Sequence, residues 1–135
     1  MTAVLLAVFT FAMAAEVARA GNTCTWTGSW SPFPVNVDDA IVVSSGGNLT
    51  WSNTMPATVA SWLQTTGYTG TVTVQTCYSG QGTFTNFTVS GDCVISNGVW
   101  THTGNGTIES YRLRATIGGN LIVGSNAVID AVEKG

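Results

Sequence analysis

The sequence predicts an all-β fold: a parallel β-helix (β-solenoid) of a few irregular coils. The phrase "GGNL" occurs at Gly46–Leu49 and again at Gly118–Leu121, and a near relative, "GDCV", lies at Gly91–Val94. Apolar residues alternate with polar ones around these glycines, which is typical of strands that bury one face. Stacked coils need such a repeated glycine corner, because each coil must turn the chain at the same place.

The clearest repeat relates Phe87–Val99 to Ala115–Ala127. Gly91 aligns with Gly119, so the offset is 119 − 91 = 28 residues, and apolar residues match apolar residues at alternate positions. A β-sandwich also has glycine-rich turns at short intervals. A match that runs through two strands and the corner between them favours the solenoid.

Two looser matches extend the repeat towards the N-terminus. They place Gly47 of "IVVSSGGNLTW" and Gly70 of "GYTGTVTV" at the same corner as Gly91. The stretch Ala57–Gly67 is the one place after the N-terminal segment where a helix is a competing interpretation. Its Thr, Val and Trp residues favour extended structure, so we predict a strand there.

The N-terminal segment "MTAVLLAVFTFAMAAEVARA" predicts a secretory signal peptide. Its apolar run, Ala3–Ala15, is followed by Ala18-Arg19-Ala20, and small residues at these positions suit cleavage after Ala20. No Lys or Arg precedes the run, and a core helix or a membrane anchor is the alternative. The run is too short to span a bilayer comfortably. We therefore expect a signal peptide at residues 1–20, one β-solenoid domain at 21–135 without a membrane span, and an extracellular or cell-surface location.

Few charged residues follow position 20. They are Arg112, Arg114 and Lys134 against Asp38, Asp39, Asp92, Glu109, Asp130 and Glu133. A nucleic-acid partner is excluded by this mildly acidic balance, since such partners need a basic face.

The three cysteines are Cys24, Cys77 and Cys93. Export permits oxidation, and an odd number allows at most one internal pair. We predict a Cys77–Cys93 disulfide between neighbouring strands, with three small buried hydrophobic residues as the alternative. There is no C-x-x-C, and the single His102 has no cysteine near it, so we predict neither a metal site nor a cofactor.

Asp38 and Asp39 form the only adjacent carboxylate pair. Neighbouring residues on a strand point to opposite faces, which makes a poor acid/base dyad. We expect the pair to be solvated at a strand entrance, with calcium ligation as the alternative, and we predict no catalytic residue.

A glycan contact is the binding site that the sequence best suggests. Arg112 and Arg114 share one strand face, Tyr111 adjoins them, and Trp100 follows a turn, where an exposed flat ring is one of two alternatives. The favoured interpretation of these residues is nevertheless structural: it places the arginines on a solvated outer face and uses the tryptophans to fill or cap the core. Trp26 and Trp30 are expected to cover the first coil.

The stretch Cys24–Trp51 resembles the opening of large secreted bacterial parallel β-helix proteins, such as autotransporter passengers and other surface repeat proteins. The residues that carry the resemblance are Trp26, Trp30, Pro34, Asp38, Asp39 and Ile41–Val43. The resemblance implies a parallel β-helix outside the cell or on its surface, and it carries over no catalytic residues.

These observations predict a non-enzymatic secreted or cell-surface protein with a structural or adhesin-like role. A carbohydrate-binding or carbohydrate-active module is the alternative. Proteins of this kind are usually longer, and no polar capping segment precedes Gly135. We therefore expect residues 21–135 to be the N-terminal part of a longer chain, with surface glycans or further copies of itself at the open end as partners.

Overall fold

The computed structural model describes residues 20–132, so all but the last residue of the predicted signal peptide lies outside the described residues. This part of the chain is all-β, with eleven strands and no helix. The strands are β1 (Thr23–Trp26), β2 (Trp30–Ser31), β3 (Ala40–Val43), β4 (Leu49–Trp51), β5 (Thr58–Val59), β6 (Ser61–Gln64), β7 (Thr71–Val74), β8 (Phe87–Val89), β9 (Cys93–Thr101), β10 (Ala115–Ile117) and β11 (Leu121–Ile129).

The strands pair in three stacks. The first stack contains β1, β3, β6 and the first halves of β9 and β11. The second stack contains β4, β7 and the second halves of β9 and β11. The third stack contains β5, β8 and β10. All these pairings are parallel, and β1 also pairs antiparallel with β2. The predicted all-β class is confirmed, as a curled mixed sheet that is largely parallel, together with a smaller parallel sheet.

The 28-residue repeat is confirmed by the strand register. Ala115 pairs with Phe87 (115 − 87 = 28), and Leu121 pairs with Cys93 (121 − 93 = 28). After an irregularity between Val123 and Asn126 the offset becomes 29, since Asn126 pairs with Asn97.

The corner between the third and first stacks explains why glycine recurs in this repeat. The Gly91 N–H donates to the Ala60 carbonyl at 2.8 Å, and the Gly119 N–H donates to the Gly91 carbonyl at 2.9 Å. A Cβ at Gly118 or Gly119 would collide with the corner of the coil beside it. Successive coils therefore approach each other more closely here than a side chain allows.

The two "GGNL" phrases occupy different corners. Leu49 pairs with Val72, which confirms the alignment of Gly47 with Gly70. Val72 then pairs with Trp100, whereas Cys93 pairs with Trp62. The predicted alignment of Gly70 with Gly91 is therefore wrong. Gly46 and Gly47 turn the chain from the first stack to the second. Here too the backbone of a neighbouring segment, at Gly28, lies too close to Gly46 for a side chain.

The interior is an aromatic cluster to which all three stacks contribute. Trp62 comes from the first stack, Trp51 and Trp100 from the second, and Phe87 from the third, and each is at most 2% exposed. The Trp62 ring centroid lies 5.3 Å from those of Trp51 and Trp100 and 5.7 Å from that of Phe87. These edge-on contacts favour the aromatic quadrupoles as well as removing apolar area from water.

The stretch Ala57–Gly67 contains no helix, as predicted, but it forms two short strands, β5 and β6, with a bend at Ala60 between them, instead of one strand. The half-buried rings of Trp26 and Trp30 lie 5.4 Å apart, and Trp30 packs edge-on against Trp51 at 5.9 Å. The prediction that these two tryptophans cover the first coil is confirmed.

Candidate functional site

Two long loops that follow strands of the second stack lie side by side on the surface. We call residues 75–86 and 102–114 the loop pair. The Tyr78 N–H donates to the Ser110 carbonyl at 3.0 Å, and the Arg112 N–H donates to the Thr76 carbonyl at 3.0 Å. Cys77 and Tyr111 form an antiparallel bridge. The two loops are thus held together by backbone hydrogen bonds.

Asn105 fixes the shape of the second loop. Its Oδ1 accepts hydrogen bonds from the N–H groups of Ser110 at 2.8 Å and Tyr111 at 2.7 Å, and its Nδ2 donates to the Tyr111 carbonyl at 2.8 Å. One side chain therefore replaces the backbone pairing that a strand would provide at this position. Tyr111 is positioned by these contacts.

The side chain of Arg112 packs on the ring of Tyr78. Its guanidinium carbon lies 4.6 Å from the centroid of the Tyr78 ring, a cation–π geometry. Its Nε is buried without a hydrogen-bond partner among the described residues. The Thr76 hydroxyl donates to the Arg112 carbonyl and accepts from the Arg114 N–H at 3.0 Å. The arginine thus helps to close one loop onto the other.

A small cleft of about 120 Å³ opens beside the loop pair. Its lining residues are Asn53, Gln75, Cys77, Gln81, Gly82, Thr83, Phe84 and Tyr111. Pockets that enclose a drug-sized ligand measure roughly 300–1,000 Å³. The cleft therefore suits at most a small polar group.

The structure brings together only part of the predicted glycan contact. Tyr111 lines the cleft, Arg112 packs on Tyr78, and Arg114 is exposed at the entrance to β10. Trp100 is only 2% exposed, which removes it from the glycan contact and confirms the interpretation that the tryptophans fill or cap the core. The reason is its place on β9, where its side chain points into the aromatic cluster.

Gln64 is a buried polar residue whose role the sequence did not predict. Its Oε1 accepts from the Trp100 indole N–H at 3.0 Å, and its Nε2 donates to the Asn97 carbonyl at 2.6 Å. A glutamine in an alternating strand gives no sequence signal of such a role. It satisfies two polar groups that lie on a neighbouring coil.

All three cysteines are buried free thiols, and no Cys77–Cys93 disulfide is formed. Cys77 lies in the loop pair, where its thiol donates to the Phe84 carbonyl, whereas Cys93 begins β9 in the first stack. Burial raises the pKa of Cys93 to about 12. Burial, together with nearby Asp39, raises the pKa of Cys24 to about 11. Both thiols therefore stay protonated at neutral pH and are poor nucleophiles.

Asp39 is fully buried, which corrects the prediction of a solvated carboxylate pair, whereas Asp38 is exposed. The Asp39 carboxylate accepts hydrogen bonds from the N–H groups of Asn22 at 2.8 Å and of Val35 and Asn36 at 2.9 Å. Burial acts to raise the pKa of Asp39, but these N–H groups and the Cys24 thiol outweigh it and lower the pKa. The carboxylate fastens the loop before β3 to the start of β1.

The lowered pKa of Asp39 predicts acid-sensitive folding. The stabilisation that the ionised Asp39 carboxylate provides is complete above the pKa of this group in the unfolded chain, about 3.9. It is lost as the pH falls through the lower pKa of the same group in the folded protein. We expect Asp39→Asn to lower the free energy of unfolding at pH 7 by about 1.5–3 kcal/mol, the cost of losing a hydrogen bond to a charged group. The variant should also lose part of the acid dependence, measured by urea unfolding from pH 7 to pH 2.5. Asp38→Asn is the matched control, and equal acid dependence in Asp39→Asn and the parent would contradict this role.

Within residues 20–132 no three His, Cys, Asp or Glu side chains gather closely enough to hold a metal ion. The same residues contain no helix long and apolar enough to cross a membrane.

The fold and these surfaces define, as a class, an all-β protein of stacked and largely parallel strands. Comparisons with protein-family models, with curated proteins and with solved structures gave no match to this chain. The resemblance to secreted bacterial β-helix proteins therefore stays a prediction from the sequence.

Proposed function

We propose that this chain is a non-enzymatic structural protein of the cell surface or the extracellular space, with an adhesin-like role and a parallel β-helix as its domain. Its function in this proposal is spatial: a stiff stack of coils that holds or spaces other parts outside the cell. The observation that carries the proposal is the regular stacking of three sets of parallel strands, with the 28-residue register of the last coil.

The roles of the polar and aromatic side chains support this interpretation. Gln64 accepts a hydrogen bond from Trp100 of the neighbouring coil, and Asp39 accepts one from the Asn22 N–H at the start of the first coil. Asn105 accepts one from the Tyr111 N–H within the loop pair. These groups stabilise the stack through contacts within the protein. A scaffold needs this rigidity, since a repeat protein is held together by contacts between neighbouring repeats.

Accessibility on intact cells tests the proposed location and the signal peptide together. An antiserum raised against residues 21–135 should label intact cells of the source organism or its culture medium, and external protease should remove the surface label. Mass spectrometry of the recovered protein should give Gly21 as its first residue. Protein that stays inside the cell and retains residues 1–20 would contradict the proposal.

A carbohydrate-binding module is the second candidate, and the cleft lined by Tyr111 is the observation that favours it. Because Trp100 is buried, the variant that separates the two functions is Tyr111→Ala, with the exposed Thr50→Ala as its control. Saturable glycan binding by the parent and the control, lost in Tyr111→Ala, would favour the module. Absence of binding across a glycan array would favour the scaffold.

A further inference from the structure

The loop pair holds both arginines of the described chain. The whole sequence has four Lys and Arg residues, and Arg112 and Arg114 are the two that lie within residues 20–132. The chain as a whole is acidic, with a formal net charge of −3 at pH 7. Two cations on one loop of an acidic protein make a positive patch at a single place on the surface.

The two arginine side chains lie on one face of their segment. The N–H groups of Arg112 and Arg114 both point to Thr76, one to its carbonyl and the other to its hydroxyl, each at 3.0 Å. Alternate N–H groups point the same way in an extended chain, and so do alternate side chains. Leu113, between the two arginines, packs against the core. Arg112 and Arg114 therefore share the outer face.

Tyr78 holds the Arg112 guanidinium in a fixed plane. The guanidinium carbon lies 4.6 Å from the centroid of the Tyr78 ring, and the Nε is buried without a hydrogen-bond partner among the described residues. A buried donor without a partner costs free energy, which is unfavourable for an arginine whose role is structural alone. Because the ring fixes the guanidinium plane in advance, less side-chain freedom is lost when an anion binds.

We propose that Tyr78, Arg112 and Arg114 form a binding site for the oxyanion groups, carboxylate or sulfate, of an acidic polysaccharide. The guanidinium of Arg112, stacked on Tyr78, donates N–H groups to the oxygens of the anion, and the exposed Arg114 adds a second positive charge. This inference rests on the proposed adhesin-like function and deepens it by naming the chemistry that the surface recognises.

The number of charges favours a polysaccharide over other polyanions. Duplex nucleic acid carries one charge per ~1.7 Å of helix and needs a basic face. Anionic membranes are bound by clusters of about 4–8 Lys or Arg residues. Two arginines are too few for either partner. The first loop, residues 75–86, carries amide, hydroxyl and aromatic side chains and no charge, which suits the hydroxyl groups and ring faces of sugars.

The proposed site is separate from the cleft beside the loop pair. Tyr111 lines that cleft, and as the neighbour of Arg112 along the segment it points to the opposite face. In the first loop Cys77 lines the cleft, whereas Tyr78, the next residue, packs on Arg112. Each face of the loop pair can therefore be tested by its own variants.

Affinity electrophoresis of the purified protein, in gels that contain a soluble polysaccharide, tests the site. Two matched pairs of probes separate the anion from the sugar: polygalacturonate against its methyl ester for carboxylate, and dextran sulfate against dextran for sulfate. At least one charged probe should retard the protein more strongly than its neutral partner does, and the retardation should weaken as salt is added. Retardation by one charged probe or by both identifies the oxyanion.

Variants assign the binding to the two arginines. Arg114→Gln should raise the dissociation constant for the charged probe roughly tenfold or more, the loss of a hydrogen bond to a charged group. Arg112→Lys keeps the charge but loses the planar fork, so we expect a similar loss. Thr23→Glu is the matched control, because it lowers the net charge as much as Arg114→Gln does, at an exposed position on β1, and it should bind like the parent. Urea unfolding should show that Arg114→Gln folds like the parent, since Arg114 is exposed.

Four results would overturn the proposal. The first is equal retardation by charged and neutral probes, or retardation by none of the four. The second is a folded Arg114→Gln that binds like the parent. The third is equal loss in Arg114→Gln and Thr23→Glu, which would indicate long-range charge without a site. The fourth is equally tight binding to duplex DNA or to phosphatidylserine vesicles. None of these results would refute the scaffold, whose cellular location is tested separately.

Discussion

Trp62→Ala should lower the free energy of unfolding by about 3–5 kcal/mol, the cost of truncating a large buried aromatic residue. Trp62 is 1% exposed and contacts Trp51, Phe87 and Trp100, so its loss opens a cavity where the three stacks meet. The first stack would lose these ring contacts with the other two. Urea unfolding followed by far-UV circular dichroism measures the effect.

Replacement by phenylalanine separates packing from hydrogen bonding. The Trp62 indole N–H is buried and has no partner among the described residues, whereas the Trp100 N–H donates to Gln64. Trp62→Phe removes an unsatisfied donor, but Trp100→Phe leaves the Gln64 oxygen unpaired, which costs about 1–3 kcal/mol. We expect Trp100→Phe to be the more destabilising. The reverse order would contradict the described interior.

Gly46→Ala should destabilise the fold by about 1–3 kcal/mol from backbone strain alone, and a steric clash adds to this. Gly46 has φ of +88°, a conformation that residues with a Cβ rarely adopt, and a Cβ there would collide with the backbone of Gly28. The first "GGNL" corner therefore needs glycine at its first position. The midpoint of urea unfolding, compared with that of the parent, reports the loss.

The neighbouring Gly47 provides a control within the same motif. It has no positive φ, and a Cβ at this position would meet nothing within 4 Å. Gly47→Ala should be neutral or stabilise the fold by up to about 1 kcal/mol, since alanine restricts the unfolded chain. Equal destabilisation by Gly46→Ala and Gly47→Ala would refute this description of the corner.

The sequence predicted the last coil better than the others. The match of Phe87–Val99 to Ala115–Ala127 predicted the register of β10 on β8 and of the first half of β11 on β9, because alternating apolar residues and the corner glycine reinforce each other there. The earlier coils differ in length. A glycine corner shows where the chain turns but not which stacks it joins, so Gly70 was assigned to the wrong corner.

The candidate site was harder to predict, because its contacts come from residues far apart in sequence. The turn before Trp100 left an exposed ring open as an alternative, whereas Trp100 lies in the interior, two residues after Gly98 with its φ of +85°. Asp39 looked like one half of a solvated pair, and the N–H groups that surround it come from two segments. The alternation of apolar and polar residues along a strand predicts which side chains are buried. It does not predict which groups hydrogen-bond to a buried polar side chain.

Coil duplication tests the central claim, a scaffold of stacked coils, most directly. Two tandem copies of residues 93–120, inserted before Leu121, would add two 28-residue coils in the register that β9 and β11 already use. The account predicts a folded protein with cooperative unfolding, longer along the stack by about 10 Å, two strand spacings of ~4.8 Å, as measured by small-angle X-ray scattering. An insertion that unfolds the domain, or that forms an unstructured loop without lengthening it, would contradict the account.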